Sequence, residues 1–514
     1  MKNCHFHSIK IIEQFLPVSF TVIFLFFTVI TAGCATTNVF SDTKYKKLSV
    51  SFVNESKSGL GSNTNNQNLL GMNNLYWIDD DKAWGQKNLG ATLSQANVTA
   101  LRYPGGEVAD NYNWETNSLE NPNEFPKEAP NASLKAQRLD YLEFLGHAAK
   151  MGVTNIFFVV NVEGAFLAPG NTDNNILLYA QKAARWVADV KRHGYHVSYW
   201  EIGNEPYLSS TTYSLTPLEY AKALKIYYRE MKRADPSIQI GVTGPEGLQG
   251  KGFAGLLTEE QLAHVRKDKD FCKNERANDC AESVKKLIPG ENRGMPWWNT
   301  IVDNAKDSFD FVAIHDYSIV EKQLAHTNQI QKLSSYLQQS TGKKVDIAVT
   351  EWNVPNRKKG FTNTADIALD NAVKLGNYLV GQVNYAIFWP IRSEENSYRA
   401  LLTFDSAEPT ILYKTFKLIT PVLAGRPVNQ LSLDKDVYFL QTQTKQETTA
   451  MLVNRGEEGK LVKADLNSVI NSNVEIEQLD VVTEKVTVTN GKAKLSNSIE
   501  FTLPPKSVTV VKYK

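Results

Sequence analysis

Eight times along this chain a short apolar run, largely β-branched or aromatic, ends in polar residues, glycine or proline and gives way to a stretch with helical periodicity. The apolar runs are Leu69–Met72, Val98–Tyr103, Asn155–Val160, His196–Tyr199 leading into Trp200-Glu201-Ile202, Ile238–Val242, Phe309–Ile314, the run from Val345 to Glu351, and Asn384–Phe388. The helical stretches are Lys82–Gln95, Leu134–Met151, Ile176–Arg192, Thr216–Ala234, Trp297–Asp307, Gln329–Gln339, Ala365–Val380 and Leu412–Leu423. Parallel strands need a crossover between them, and a helix is the usual one. Eight strand–helix units in a row therefore predict an α/β fold, a (β/α)₈ barrel over residues 68–428. From Asp434 onward the pattern changes to short strands, Val437–Leu440, Thr448–Val453, Val474–Leu479, Val486–Val488 and Val508–Lys512, separated by Asn-Gly and polar turns. Residues 429–514 thus read as an all-β sandwich, and the alternating stretch Lys46–Val53 is a candidate extra strand for it.

In such a barrel the chemistry sits at the carboxyl ends of the strands. The fourth strand runs Tyr199-Trp200-Glu201-Ile202-Gly203-Asn204-Glu205-Pro206-Tyr207. Pro206 cannot donate to a ladder, so the strand stops there and leaves Glu205 at its mouth with Asn204 beside it. The seventh strand repeats the device in Val349-Thr350-Glu351-Trp352-Asn353-Val354-Pro355. Either glutamate alone is equally well read as a strand-end carboxylate held in a salt bridge. Two of them at two strand mouths suit glycosidic bond cleavage, in which one carboxyl holds a proton for the leaving oxygen and the other attacks the anomeric carbon. Glu201 lies four residues before Glu205, a layer deeper in the barrel, and is expected to be buried and paired.

These motifs, Asn204-Glu205-Pro206 with Thr350-Glu351-Trp352, resemble those of the retaining clan A glycoside hydrolases, the 4/7 superfamily. Within the clan the chain resembles families 39, 51, 79 and 30, which append a carboxyl-terminal β-sandwich, and more loosely the agarase/porphyranase family 86. Gly203 stands where family 39 usually carries Trp, and Pro206-Tyr207 departs from family 51, whereas Tyr103-Pro104-Gly105-Gly106 looks like family 51 and its neighbours. The resemblance implies Glu205 as general acid/base, Glu351 as nucleophile, and Asn204 as the partner of a substrate 2-hydroxyl. It implies that Arg102 keeps Glu351 ionised. His315 and Tyr317 end the sixth strand, and Tyr317 is expected to hydrogen-bond the nucleophile. Trp389, at the end of strand eight, is a candidate stacking face for a sugar. Trp114, Glu107 and Asp110, after strand two, are candidate sugar contacts, although a solvated loop explains the two acids equally well. Trp77, Trp297 and Trp298 are weaker candidates, more often core. Glu163 and Glu246 also end strands, as sugar contacts or as rivals in the glutamate pairing.

The substrate implied is a plant or algal polysaccharide or its oligosaccharides, with arabinofuranosidase, xylosidase, glucuronidase and agarase specificities all open. No cofactor and no metal are expected, since acid and nucleophile both come from protein. Lys+Arg 56 against Asp+Glu 55 gives a net charge of +1, without the basic excess of a nucleic-acid binder. A surface protein that binds glycans without cleaving them is the alternative, as is an adhesive role for the β-module; loss of either glutamate would mark the first.

The first 34 residues read as a targeting segment. Lys2, His5, His7 and Lys10 precede an apolar run, Phe15–Ile30, and Thr31-Ala32-Gly33-Cys34 resembles a bacterial lipoprotein signal, with Thr31 where Leu is commonest. Cys34 would then be lipidated and tether the exported protein to the cell envelope, the outer membrane being expected, with residues 35–67 as tether; an uncleaved signal anchor is the alternative. Besides Cys4 and Cys34 there remain Cys272 and Cys280, eight positions apart in one polar loop. An oxidising compartment could join them, and two thiols without a nearby His do not fill a zinc site.

Overall fold

The computed structural model describes residues 45–53, 68–86, 88–121, 138–208, 215–248, 294–355, 364–393, 397–466, 473–492 and 498–513. The expectations on the amino-terminal segment, Cys34, Cys272 and Cys280 fall outside these residues. Among the described residues no helix is long and apolar enough to cross a membrane.

Strand β1 (Lys46–Ser51) comes first and joins the carboxyl-terminal domain. The barrel begins with β2 (Asn68–Asn73), the short helices α1 (Asp81–Gln86) and α2 (Leu89–Gln95), and β3 (Ala100–Tyr103). A small hairpin, β4 (Tyr112–Asn113) with β5 (Ser118–Leu119), follows, then α3 (Tyr141–Met151) and β6 (Asn155–Val160). Helices α4 (Gly164–Leu167) and α5 (Thr172–Arg192) lead to β7 (Tyr199–Ile202), and α6 (Pro217–Ala234) to β8 (Gln239–Thr243). The round is completed by α7 (Met295–Ala305), β9 (Phe311–Asp316), α8 (Val320–Thr341), β10 (Asp346–Trp352), α9 (Thr364–Val380), β11 (Tyr385–Phe388) and α10 (Ile411–Leu423). Strands β2, β3 and β6–β11 pair in parallel in chain order, and β11 closes on β2. The expected (β/α)₈ barrel is thus observed.

Side-chain alternation divides the barrel interior into layers. The lower layer is apolar: Ala100, Phe157, Phe311, Ala313, Ala348, Tyr385 and Ile387 fill it together with Tyr199. Phe157 stacks on Tyr199 with ring centroids 4.4 Å apart, and the hydroxyls of Tyr199 and Tyr385 meet at 2.5 Å. Two residues further along β3 and β7 stand Arg102 and Glu201, which therefore point the same way one layer higher. The barrel is plugged below by aromatic rings and charged above them.

Several helix bounds differ from the periodicity reading. The stretch Lys82–Gln95 is two helices, with Asn88 between them in the left-handed region at φ 53°. α3 starts at Tyr141, capped by Asp140, whose side chain forms a capping box with Glu143; Leu134 lies outside the described residues. α8 extends well beyond Gln329–Gln339 on its amino-terminal side.

After the barrel come β12 (Arg426–Asp434), β13 (Val437–Gln443), β14 (Thr448–Asn454), β15 (Lys460–Asp465), β16 (Asn473–Asp480), β17 (Lys485–Lys492), β18 (Ser498–Leu503) and β19 (Ser507–Tyr513). A six-stranded sheet, β12-β13-β14-β19-β16-β17, faces a three-stranded one, β1-β15-β18. Phe52 stacks on both Phe439 and Tyr513 in the core between them. Strands β12, β15 and β18 escaped the sequence reading because their burial alternates weakly or they are rich in Lys, Asp and Ser. Asn490-Gly491 is not a turn: both residues pair within β17 against Glu475 and Val474. The other face of the larger sheet, through Leu440, Met451, Val453, Val508 and Val510, shares one apolar core with the barrel.

Candidate active site

Arg102 is the hub of the barrel mouth. It is fully buried, and its Nε and Nη2 hold the Glu201 carboxylate at 3.0–3.1 Å. Nη1 donates to Glu351 Oε1 at 2.8 Å and to Asn73 Oδ1 at 3.0 Å, while Nη2 also reaches Asn204 Oδ1 at 3.0 Å. Burial opposes the guanidinium charge, but Glu201 and Glu351 more than offset it and raise the Arg102 pKa above its ordinary value. Burial likewise pushes the Glu201 carboxyl up, against the charge and hydrogen bonds of Arg102. Glu201 is thus the buried, paired carboxylate its position in the strand suggests. Asn73 is a site residue not singled out above: its amide Nδ2 donates to Thr350 O at 2.9 Å and ties the first barrel strand to the seventh. A polar residue at the end of an otherwise apolar strand was its available signal.

Glu205 and Glu351 converge from β7 and β10. One oxygen of each, with a ring nitrogen of His315, lies within 4.8 Å of the others. His315 Nδ1 is 2.8 Å from Glu205 Oε1 and 3.5 Å from Glu351 Oε2. Burial works against a charge on His315, but Glu351 and then Glu205 outweigh it and raise its pKa above the usual histidine value. Tyr317 donates its hydroxyl to Glu351 Oε2 at 3.0 Å. Burial and the Glu351 charge hold the Tyr317 pKa well above the ordinary phenol value, so it remains a donor. The Glu205 side chain is 18 % exposed and that of Glu351 7 %, which leaves Glu205 the more accessible of the pair.

The backbone that presents Glu205 is unusual. Glu205 sits in the left-handed region at φ 47° and Gly203 at φ 80°. A Cβ on residue 203 would come within 2.4 Å of Val162 Cγ1, so only glycine fits. Left-handed non-glycine residues cost free energy and persist where the surroundings hold them. Here Asp110 supplies part of that hold, its Oδ1 accepting the Asn204 N–H at 2.9 Å. Burial pushes the Asp110 carboxyl well above the ordinary aspartate value, with Glu107 and Glu205 adding to the effect and the Asn204 N–H opposing it.

The remaining candidates separate. Trp389, 8 % exposed, lines the mouth beside Trp77, and its indole packs so tightly on Gly106 that a Cβ there would come within 2.5 Å of Cη2. Trp114 is a correction: it stacks on Trp186 and meets Tyr141, and its Nε1 donates to Lys182 O at 3.1 Å, on the helical layer outside the barrel. Asp110 turns to the backbone of the Asn-Glu motif, a placement its loop position did not reveal. Trp77, Trp297 and Trp298 are buried. Glu163 is buried and Glu246 half-buried, and neither joins the Glu205–His315–Glu351 group.

That group is also where, among the described residues, the donor spacing of a metal site occurs. Two carboxylates and an imidazole suit zinc in chemical type. Both oxygens of Glu351 already accept protein hydrogen bonds, from Arg102 and Tyr317, and His315 Nδ1 is engaged with Glu205. These atoms are therefore already engaged with protein partners, while the other ring nitrogen of His315, Nε2, is buried without a hydrogen-bond partner.

Residues 92–279 match the family model described as the alpha-L-arabinofuranosidase 1 domain; Arg102, Asn204 and Glu205 fall inside this stretch and Glu351 beyond it. A curated relative from Halalkalibacterium halodurans, named intracellular exo-alpha-(1->5)-L-arabinofuranosidase, is 22% identical over 270 residues, covering 51% of this chain and 43% of the relative. The aligned part of the chain thus spans less than half of that relative. Among solved structures, the chain is similar to a GH51 arabinofuranosidase from Xanthomonas axonopodis pv. citri, with a TM-score of 0.62 and 16% identity over 92% of this chain and 100% of that one. It is similar too to a GH30 endoxylanase from Clostridium papyrosolvens, with a TM-score of 0.55 and 15% identity over 91% and 99%. These likenesses show the fold, a (β/α)₈ barrel with an attached β-sandwich.

Proposed function

We propose that this protein is a retaining glycoside hydrolase that releases α-L-arabinofuranosyl residues from plant polysaccharides or their oligosaccharides. The observation that carries the reading is the approach of Glu205 and Glu351 to one another across His315 Nδ1, within 4.8 Å. An oxygen-to-oxygen approach of that order accords better with the roughly 5–5.5 Å between carboxyl groups in retaining enzymes than with the roughly 6.5–9.5 Å that leaves room for water in inverting ones. The arabinofuranosyl assignment draws support from the name of the matching family model.

In this reading Glu351 attacks the anomeric carbon while Glu205 gives its proton to the departing glycosidic oxygen. The C–O bond breaks, the aglycone leaves as an alcohol, and the sugar is held as an ester of Glu351. Water then attacks the same carbon from the opposite face, Glu205 takes its proton, and the ester bond to Glu351 breaks. Arg102 and Tyr317 each hold one oxygen of Glu351, which aims the carboxylate. Arg102 also occupies Asn204 Oδ1, so the amide is turned with its Nδ2 as the group for a sugar hydroxyl. The test is a panel of 4-nitrophenyl glycosides with the wild type, Glu205→Gln and Glu351→Gln. Turnover of the α-L-arabinofuranoside, lost in both variants, is the expected result. Turnover confined to another sugar would replace the specificity, and binding without turnover of any glycoside would favour the non-catalytic alternative.

A further inference from the structure

The ladder between β9 and β10 is interrupted at the site itself. Val349 pairs with Ile314, but the next paired residue is Glu351 with His315, so one residue of β10 is passed over just before the nucleophile. Such irregularities occur beside active sites because they re-aim a side chain, at the cost of local ladder bonds. The pairing resumes there and runs on to Trp352 with Asp316, so the residues just beyond it, Tyr317 on one strand and Asn353 on the other, are where a further tie acts.

Lys374, in the middle of α9, is fully buried. Its Nζ donates to Asp316 O at 3.1 Å, Ser318 O at 3.1 Å and Asn353 O at 2.9 Å. Three carbonyls at hydrogen-bond distance take three N–H donors, and only the ammonium form has them. Asp316 Oδ1 lies 3.5 Å away, and Asp316 Oδ2 accepts the hydroxyl of Tyr378, one turn along the same helix, at 2.5 Å. Asp316 stands between His315 and Tyr317, and alternation along the strand turns those two to the barrel mouth while Asp316 turns to the helix. Asn353 lies two residues beyond Glu351, and its Nδ2 continues the chain of contacts to Trp389 O and Arg399 O. One ammonium thus joins the strand end that carries His315 and Tyr317 to the one that carries Glu351.

A buried charge is costly unless paired and hydrogen-bonded, and an apolar side chain of similar volume would often serve stability as well. We propose that Lys374 is a positioning residue: its buried ammonium ties the ends of β9 and β10 together just beyond the irregular stretch of their ladder and so steadies His315 and Tyr317 against Glu351. This rests on the glycosidase reading of the same residues. The rival account is that Lys374 serves only as the counter-charge of Asp316.

The two are separated by Lys374→Met, Asp316→Asn and the double variant, each measured for thermal unfolding and for kcat and KM on 4-nitrophenyl α-L-arabinofuranoside. Lys374→Met should lower stability, because it removes the ammonium beside the buried Asp316, and the double variant should regain part of that loss. The double variant carries the test even if Lys374→Met fails to fold. With positioning, it should still show kcat reduced roughly tenfold or more, since a misplacement of about 1 Å can cost a hundredfold, with KM within about twofold of the wild type. Recovery of both stability and wild-type kcat in the double variant would overturn the proposal. A wild type that turns over no glycoside would instead overturn the reading beneath it.

Discussion

His315 Nδ1 stands 2.8 Å from Glu205 Oε1, closer than to any oxygen of Glu351, so the histidine is first of all the partner of the proposed acid/base. The two carboxylates raise the His315 pKa despite its burial. A histidine whose folded pKa lies above its unfolded value of about 6.5 contributes stability that is fully present below that value. The contribution disappears as pH rises through the folded pKa.

The expected outcome concerns His315→Asn, which keeps a hydrogen-bonding group but cannot charge. The difference in unfolding free energy between wild type and variant, from urea titrations across pH, should be largest on the acid side of about pH 6.5. It should shrink at higher pH. A difference that is flat across neutral pH, or that grows with it, would show that His315 is not held charged by its neighbours.

Tyr317→Phe removes a single hydrogen bond, the one to Glu351 Oε2, and leaves the ring in place. Hydrogen bonds to charged groups are worth about 1.5–3 kcal/mol. At about 1.36 kcal/mol per factor of ten, kcat/KM should fall roughly ten- to a hundredfold if the bond is kept into the transition state. Steady-state kinetics on an activated aryl glycoside checks this. Unchanged kinetics would mean that Arg102 alone orients the nucleophile.

The barrel was legible in the sequence because its strands are buried on both sides and read as short apolar runs, each stopped by a recognisable signal. Pro206 and Pro355 signalled where the two strands end, but β7 already stops at Ile202 and the left-handed backbone at Gly203 and Glu205 presents the first glutamate, while Glu351 lies within β10. The internal position of Glu201 followed from side-chain alternation alone. Trp114 was misplaced because an indole in a loop after a strand can turn to the barrel mouth or to the outer helices, and loop sequence does not distinguish them. Here Trp186 on α5 takes it.

Lys374 was invisible for a different reason. A lysine in an amphipathic helix normally marks the solvent face, but α9 is buried from Ile367 to Leu379, enclosed between the strands and the β-sandwich. Only the register of β9 against β10 shows what its ammonium reaches. The Asn490-Gly491 pair illustrates the converse, a strong turn signal overruled by pairing along the whole length of β16. Local propensity holds where tertiary pairing does not compete with it.

The central claim is that Glu351 forms a covalent glycosyl intermediate and Glu205 serves both steps. The measurement that tests it most directly is the anomeric configuration, by proton NMR, of the methyl glycoside formed when 4-nitrophenyl α-L-arabinofuranoside is turned over in dilute methanol. Two displacements at one carbon predict the methyl α-L-arabinofuranoside, with retained configuration. A β-configured product would mean a single displacement, and the two-glutamate account of this site would be wrong.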